Sequence, residues 1–92
     1  MKFITTWSVR PGALQQAVDR FLAGEGQPPA GTKLLGRWHK LDGSGGFSLM
    51  ESDNPAAMYE AAAVWLDVLE LHSFAVTEDA EAGAVLQKVF QK

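Results

Sequence analysis

Arg37, Trp38 and His39 stand in a row, and Glu51 follows a glycine-rich bend behind them. These are the residues of this chain with the chemistry a site needs. An arginine offers a planar fork of donors to a carboxylate or another anion. A histidine exchanges a proton near neutral pH. A glutamate can orient that histidine or act as acid or base itself. A tryptophan, Trp38 here or Trp7 near the start, can wall an apolar pocket. Together they suggest a site for a small anionic or aromatic compound. Trp7, Arg37 and Trp38 are its binding candidates, and His39 and Glu51 its catalytic ones.

Whether these side chains meet depends on the hairpin that carries them. Thr32 to Lys40 reads as one strand and Gly46 to Ser52 as the next, joined by the bend Leu41 to Gly45, whose glycines permit positive φ. Alternation puts Arg37 and His39 on one face and Trp38 on the other. If the bend centres on Gly43, His39 opposes Phe47, Arg37 opposes Leu49, and Leu35 opposes Glu51. Glu51 then joins Arg37 and His39. A bend shifted by one residue moves Glu51 to the Trp38 face. The residues leave both registers open. A plainer reading needs no ligand: Arg37 and Glu51 form a cross-strand ion pair, His39 faces solvent or an interface, and Trp38 fills the core under a helix. The residues alone lean to this reading, because such pairs are ordinary. They do not decide whether the chain is an enzyme.

The hairpin sits in a regular alternation of elements. Lys2 to Val9 is rich in β-branched and aromatic residues and reads as a strand, with Phe3, Thr5, Trp7 and Val9 on one face. Pro11 stands where a first helical residue belongs. Leu14, Ala17, Val18, Phe21 and Leu22 follow at helical spacing, up to Gly24 and Gly26. Asp53-Asn54-Pro55 is a helix start, and Met58, Ala61, Ala62, Trp65 and Leu66 are its apolar stripe. A fourth strand lies within Leu69 to Thr77. Ala82, Val85, Leu86, Val89 and Phe90 give a C-terminal amphipathic helix. The order β-α-β-β-α-β-α predicts one α+β domain over residues 1–92. Its fold is ferredoxin-like, βαββαβ with a four-stranded antiparallel sheet and an extra C-terminal helix. Both main helices lie on one face of such a sheet. The first strand is apolar on its other face too, at Ile4, so that face needs cover. A second copy of the sheet supplies it, which predicts a homodimer with a sheet-lined cavity.

Other patterns fail on context. The stretch from Gly26 to Lys33 is spaced like a phosphate loop, but it follows a helix, enters a strand, and contains Pro28 and Pro29. His39 and His72 are far apart and no cysteine supports them, so neither metal nor cofactor is expected. Ser44, Ser48, Ser52 and Ser73 lie on no strand-to-helix elbow. The net charge of −3, with scattered Lys and Arg, disfavours a nucleic-acid partner. No apolar run approaches the ~20 residues of a membrane span, and the N-terminus lacks the apolar core of a signal peptide. With no cysteine, the expectation is a soluble cytoplasmic protein.

Three stretches, MKFITTWSVRPG, LLGRWHKLDGSGGFSLMESDNPAAM and EDAEAG, resemble the small bacterial family catalogued as domain of unknown function 3303. The resemblance spans almost the whole chain. In layout such proteins are similar to the dimeric α/β-barrel superfamily, in which two ferredoxin-like sheets face each other. That superfamily includes cofactor-free monooxygenases, isomerases, heme-degrading enzymes, stress-response barrels and ligand-sensing domains. The resemblance implies the fold and the pairing. It carries over no catalytic residue, and no histidine here is marked as a heme ligand.

Overall fold

A computed structural model describes residues 1–91. Its elements run β1 (Lys2–Val9), α1 (Leu14–Leu22), β2 (Lys33–His39), β3 (Gly45–Glu51), α2 (Pro55–Ala63), β4 (Leu69–Val76) and α3 (Asp79–Phe90). The strands form one sheet in the order β2-β3-β1-β4, antiparallel at every pairing. This is the ferredoxin-like arrangement expected from the alternation of patterns, with α3 appended.

Local chemistry explains the boundaries. Asn54 caps α2 by accepting the Ala57 N–H on its side-chain oxygen at 3.2 Å, and Pro55 is the first helical residue. Pro11 does not begin α1, as its position suggests. The Ala13 N–H donates to the Arg10 carbonyl at 3.0 Å, closing a turn around Pro11 and Gly12, and the helix starts at Leu14. Buried Ser52 ties the α1–β2 loop to the end of β3, its hydroxyl donating to the Gly31 carbonyl at 2.6 Å.

The hairpin adopts the shifted register. His39 opposes Gly46, Trp38 opposes Phe47, and Arg37 opposes Ser48. A bulge between Leu34 and Gly36 then sets Lys33 opposite Glu51. The glycines of the bend have separate duties. Gly43 takes the left-handed conformation, with φ at 77°. Gly46 is already inside β3, where a Cβ would run into the Trp38 carbonyl and come within 2.7 Å of the Trp7 indole. It is there for closeness rather than for turning.

The buried core is small. Ala17, Val68 and Leu69 form a cluster on which Trp7, Val9, Trp65 and Leu71 pack, and Met50, Ala57 and Met58 are buried beside it. The chain exposes 6559 Å², whereas a folded monomer of this mass exposes about 5,200 Å². Its radius of gyration is 15.8 Å, against about 12 Å for a compact chain of this length. Exposed apolar side chains lie on the sheet face without helices (Trp38, Phe47, Phe74), on α3, which has no buried residue, and on α1 at Leu14, Val18, Phe21 and Leu22. No helix among the described residues is long and apolar enough to cross a membrane.

Candidate functional site

Strand parity decides what the helices cover. Phe3, Thr5, Trp7 and Val9 of β1 face α1 and α2, and the pairing registers place Arg37, His39, Ser48, Met50, Leu71 and Ser73 on the same side. Between this face and the helices lies a cavity of about 620 Å³, walled by Trp7, Phe21, Met50, Met58 and Trp65. That volume is in the range of small-molecule sites.

The floor of the cavity is unusual for a sheet face under helices. Arg37 opposes Ser48, Ser48 opposes Thr5, and Thr5 opposes Ser73. A polar row therefore crosses all four strands where an apolar core is the ordinary solution. Thr5 and Ser48 are buried. The Thr5 and Ser73 hydroxyls share a hydrogen bond of 2.8 Å. The next row carries His39, Gly46, Trp7 and Leu71.

Arg37 heads the polar row from the edge strand. Its Nη2 donates to the Gly26 carbonyl at 2.6 Å, and its guanidinium lies 5.6 Å from the centre of the Phe21 ring. Loss of solvent holds its pKa below the ordinary arginine value. It remains charged, since arginine does not deprotonate in proteins. Among the described residues no carboxylate oxygen lies within 4.0 Å of it. Arg20, the other arginine at the cavity, is fully engaged. Its Nη1 donates to the Asp67 carboxylate at 3.0 and 3.1 Å, its Nη2 to the Val64 carbonyl, and its guanidinium sits 4.7 Å over Trp65. The bond to Arg20 holds the Asp67 carboxyl below its usual range. One arginine staples α1 to the α2–β4 connection. The other has one neutral acceptor and an aromatic face, and donors left over.

His39 stands beside Arg37 on the same face. Its ring meets Trp7 edge-on at 5.6 Å and Phe21 at 5.3 Å. Trp7, Arg37 and His39 thus converge at one end of the cavity. Glu51 does not join them. The shifted register puts it on the opposite face, paired with Lys2 and Lys33, so neither the Arg37–Glu51 ion pair nor a Glu51–His39 couple forms. Trp38 also leaves the site. It lies on the open face, stacked on Phe47 at 5.0 Å between ring centres, rather than in the core under a helix. His72 is on that open face too, 3.5 Å from Glu70, so the two histidines cannot share a metal. The cavity these residues line is on the helix side of the sheet, not on the face a partner sheet would cover.

Sequence reasoning missed Phe21, Thr5, Ser48 and Ser73 as lining residues of the cavity. Phe21 belongs to an ordinary apolar stripe. The three hydroxyls each sit inside a strand, and only the registers align them.

A search of the curated proteins and a search of the solved structures each returned no match. The family described as "Domain of unknown function (DUF3303)" matches residues 1–90, and the chain belongs to it.

Proposed function

We propose that the cavity between the sheet and α1/α2 binds a small anion with a flat apolar body, such as an aromatic carboxylate. The observation that carries this reading is Arg37, a half-buried guanidinium with no carboxylate beside it among the described residues, at the head of a polar row in an apolar-walled cavity. A buried charge without a partner is costly, and selection keeps one where a ligand completes it. Arg37 anchors the anion, Trp7 and Phe21 flank the body, and the Thr5 and Ser48 hydroxyls meet polar substituents. If the ligand is turned over, His39 is the group placed to move a proton. His39→Ala then abolishes turnover and leaves the fold intact.

The test is a titration followed by tryptophan fluorescence, since Trp7 and Trp65 line the cavity. Benzoate and phenylacetate are compared with their uncharged amides. The acids bind more tightly by about 10- to 150-fold, the worth of a charge-assisted hydrogen bond. Equal binding of acid and amide, or no binding of either up to about 10 mM, a range covering even weak sites, refutes the reading.

A second reading, a homo-oligomeric module, is favoured by the open sheet face. Trp38, Phe47 and Phe74 are 51%, 44% and 51% exposed there. Apolar patches of this kind mark interaction sites. A second copy covers this face, as the two sheets cover each other in the dimeric α/β-barrel superfamily. The two readings are compatible, because cavity and patch lie on opposite faces. The absence of cysteine suits a cytoplasmic setting for both.

A further inference from the structure

Helix α3 leaves the body of the molecule after a two-residue connection, Thr77 and Glu78. Two contacts fix its first turn. Lys2 pairs with Glu78, and the Thr77 hydroxyl donates to the Glu81 carboxylate at 2.8 Å. Beyond that turn no residue of α3 is buried, and Val85, Leu86, Val89 and Phe90 are 59%, 54%, 47% and 77% exposed. They recur at helical spacing and form one apolar stripe.

A helix in that position needs a surface. Isolated helices of about 12 residues are marginal in water, and Gly83 in the middle of α3 weakens it further. The stripe, rather than intrinsic propensity, must support it. We propose that α3 is an exchanged arm whose stripe packs on a second copy of this chain, bordering that copy's open sheet face. The proposal rests on the self-association put forward above and is independent of what the cavity binds.

Three observations favour a second copy as the occupant. The surface excess over a compact monomer is about 1,300 Å², and a standard interface takes about 800 Å² from each partner. The excess is large enough to supply one partner's share of such an interface. The charges match beyond the pair each chain makes for itself: with Glu78 held by its own Lys2, the first turn of α3 still carries Asp79 and Glu81, and the open face carries Lys33. The same acidic turn disfavours an anionic membrane surface, which attracts basic helices. Finally, both halves of the contact are on one chain. A two-fold axis then satisfies both arms and both faces at once and closes the assembly.

The experiment is sedimentation equilibrium of the full chain, with circular dichroism to follow the fold. Wild type is expected to be a dimer at micromolar concentration. Leu86→Glu with Val89→Asp, both exposed in the single chain, should raise the dissociation constant by about a hundredfold or more with the sheet signal unchanged. A monomeric wild type up to about 100 µM overturns the proposal together with self-association. A dimer that withstands the double variant overturns the arm alone and leaves the open face as the interface. A double variant that melts earlier without changing its dissociation constant shows α3 packing on its own chain, which also overturns the arm.

Discussion

Arg37 and Arg20 sit at the same cavity and predict opposite consequences of losing a guanidinium. Consider Arg20→Met, which keeps most of the aliphatic stem. It gives up the Val64 carbonyl and the Trp65 face. A charge-assisted hydrogen bond contributes about 1.5 kcal/mol and a cation–π contact about 0.5–1 kcal/mol. The solvent-facing pair with Asp67 is screened and adds little. The sum is about 2 kcal/mol, which lowers the melting temperature of a domain this size by about 8–16 °C.

Arg37→Met loses a similar pair of contacts, the Gly26 carbonyl and the Phe21 face, also about 2 kcal/mol together. It also releases a charge that is partly out of water and has no counter-ion among the described residues. That release returns about 1–3 kcal/mol. The two terms cancel to within about 1 kcal/mol, so the melting temperature should move by less than about 8 °C in either direction. Ligand binding should respond in the reverse order. Arg37→Met should lose an aromatic carboxylate by about 10- to 150-fold, and Arg20→Met should retain it once folded. The assay is thermal melting of both variants and wild type, with and without benzoate. If Arg37→Met destabilises the free protein as much as Arg20→Met does, Arg37 is a structural staple. The argument from its missing carboxylate then fails.

Three further outcomes follow from the same geometry. Glu51→Gln should leave carboxylate affinity unchanged, because Glu51 lies across the sheet from the cavity; a tenfold loss in the fluorescence titration would contradict the register. Gly46→Ala should destabilise by about 3 kcal/mol or more, since its Cβ meets the Trp38 carbonyl and the Trp7 ring rather than a yielding side-chain tip; denaturant melts read this directly. On acidification, Glu78, Asp67 and Asp42 work together. Hydrogen bonds from Lys2, Arg20 and Ser44, in that order, hold their folded-state pKa values below the ordinary 4.5 for Glu78 and 3.8 for the two aspartates. Their contribution is complete above those values and is lost as pH falls through the lowered ones. The Lys2 pKa is raised from 10.5 by the same bond to Glu78, so this one pair is lost at both ends, in acid as Glu78 protonates and in strong base as Lys2 deprotonates. Melting temperature should therefore be flat above about pH 5 and fall below it; a rise on acidification would reverse the sign of the argument.

The course of the chain was legible because each element announces itself locally. A run of β-branched and aromatic residues marks β1, the Asn54-Pro55 pair marks the start of α2, and the stripe from Ala82 to Phe90 marks α3. The site was legible only in part, because a site on a sheet is a property of register. Trp7, Arg37 and His39 share a face whatever the bend does, provided β1 pairs in step, and they do meet. Glu51 and Trp38 depended on where the hairpin turns. Gly46 belongs to β3, and the bulge at Leu35 then restores step with Lys33, so the parity beyond the bend is the opposite of the one that would have assembled an Arg-His-Glu cluster. The same parity aligned Arg37, Ser48, Thr5 and Ser73, three of them unremarkable hydroxyls with no signal in their own strands. A one-residue shift thus exchanged a carboxylate for a row of neutral acceptors around Arg37. That exchange turns the arginine from one half of an ordinary cross-strand pair into a cation with no carboxylate oxygen within 4.0 Å among the described residues, and that is the ground for proposing an anion from outside.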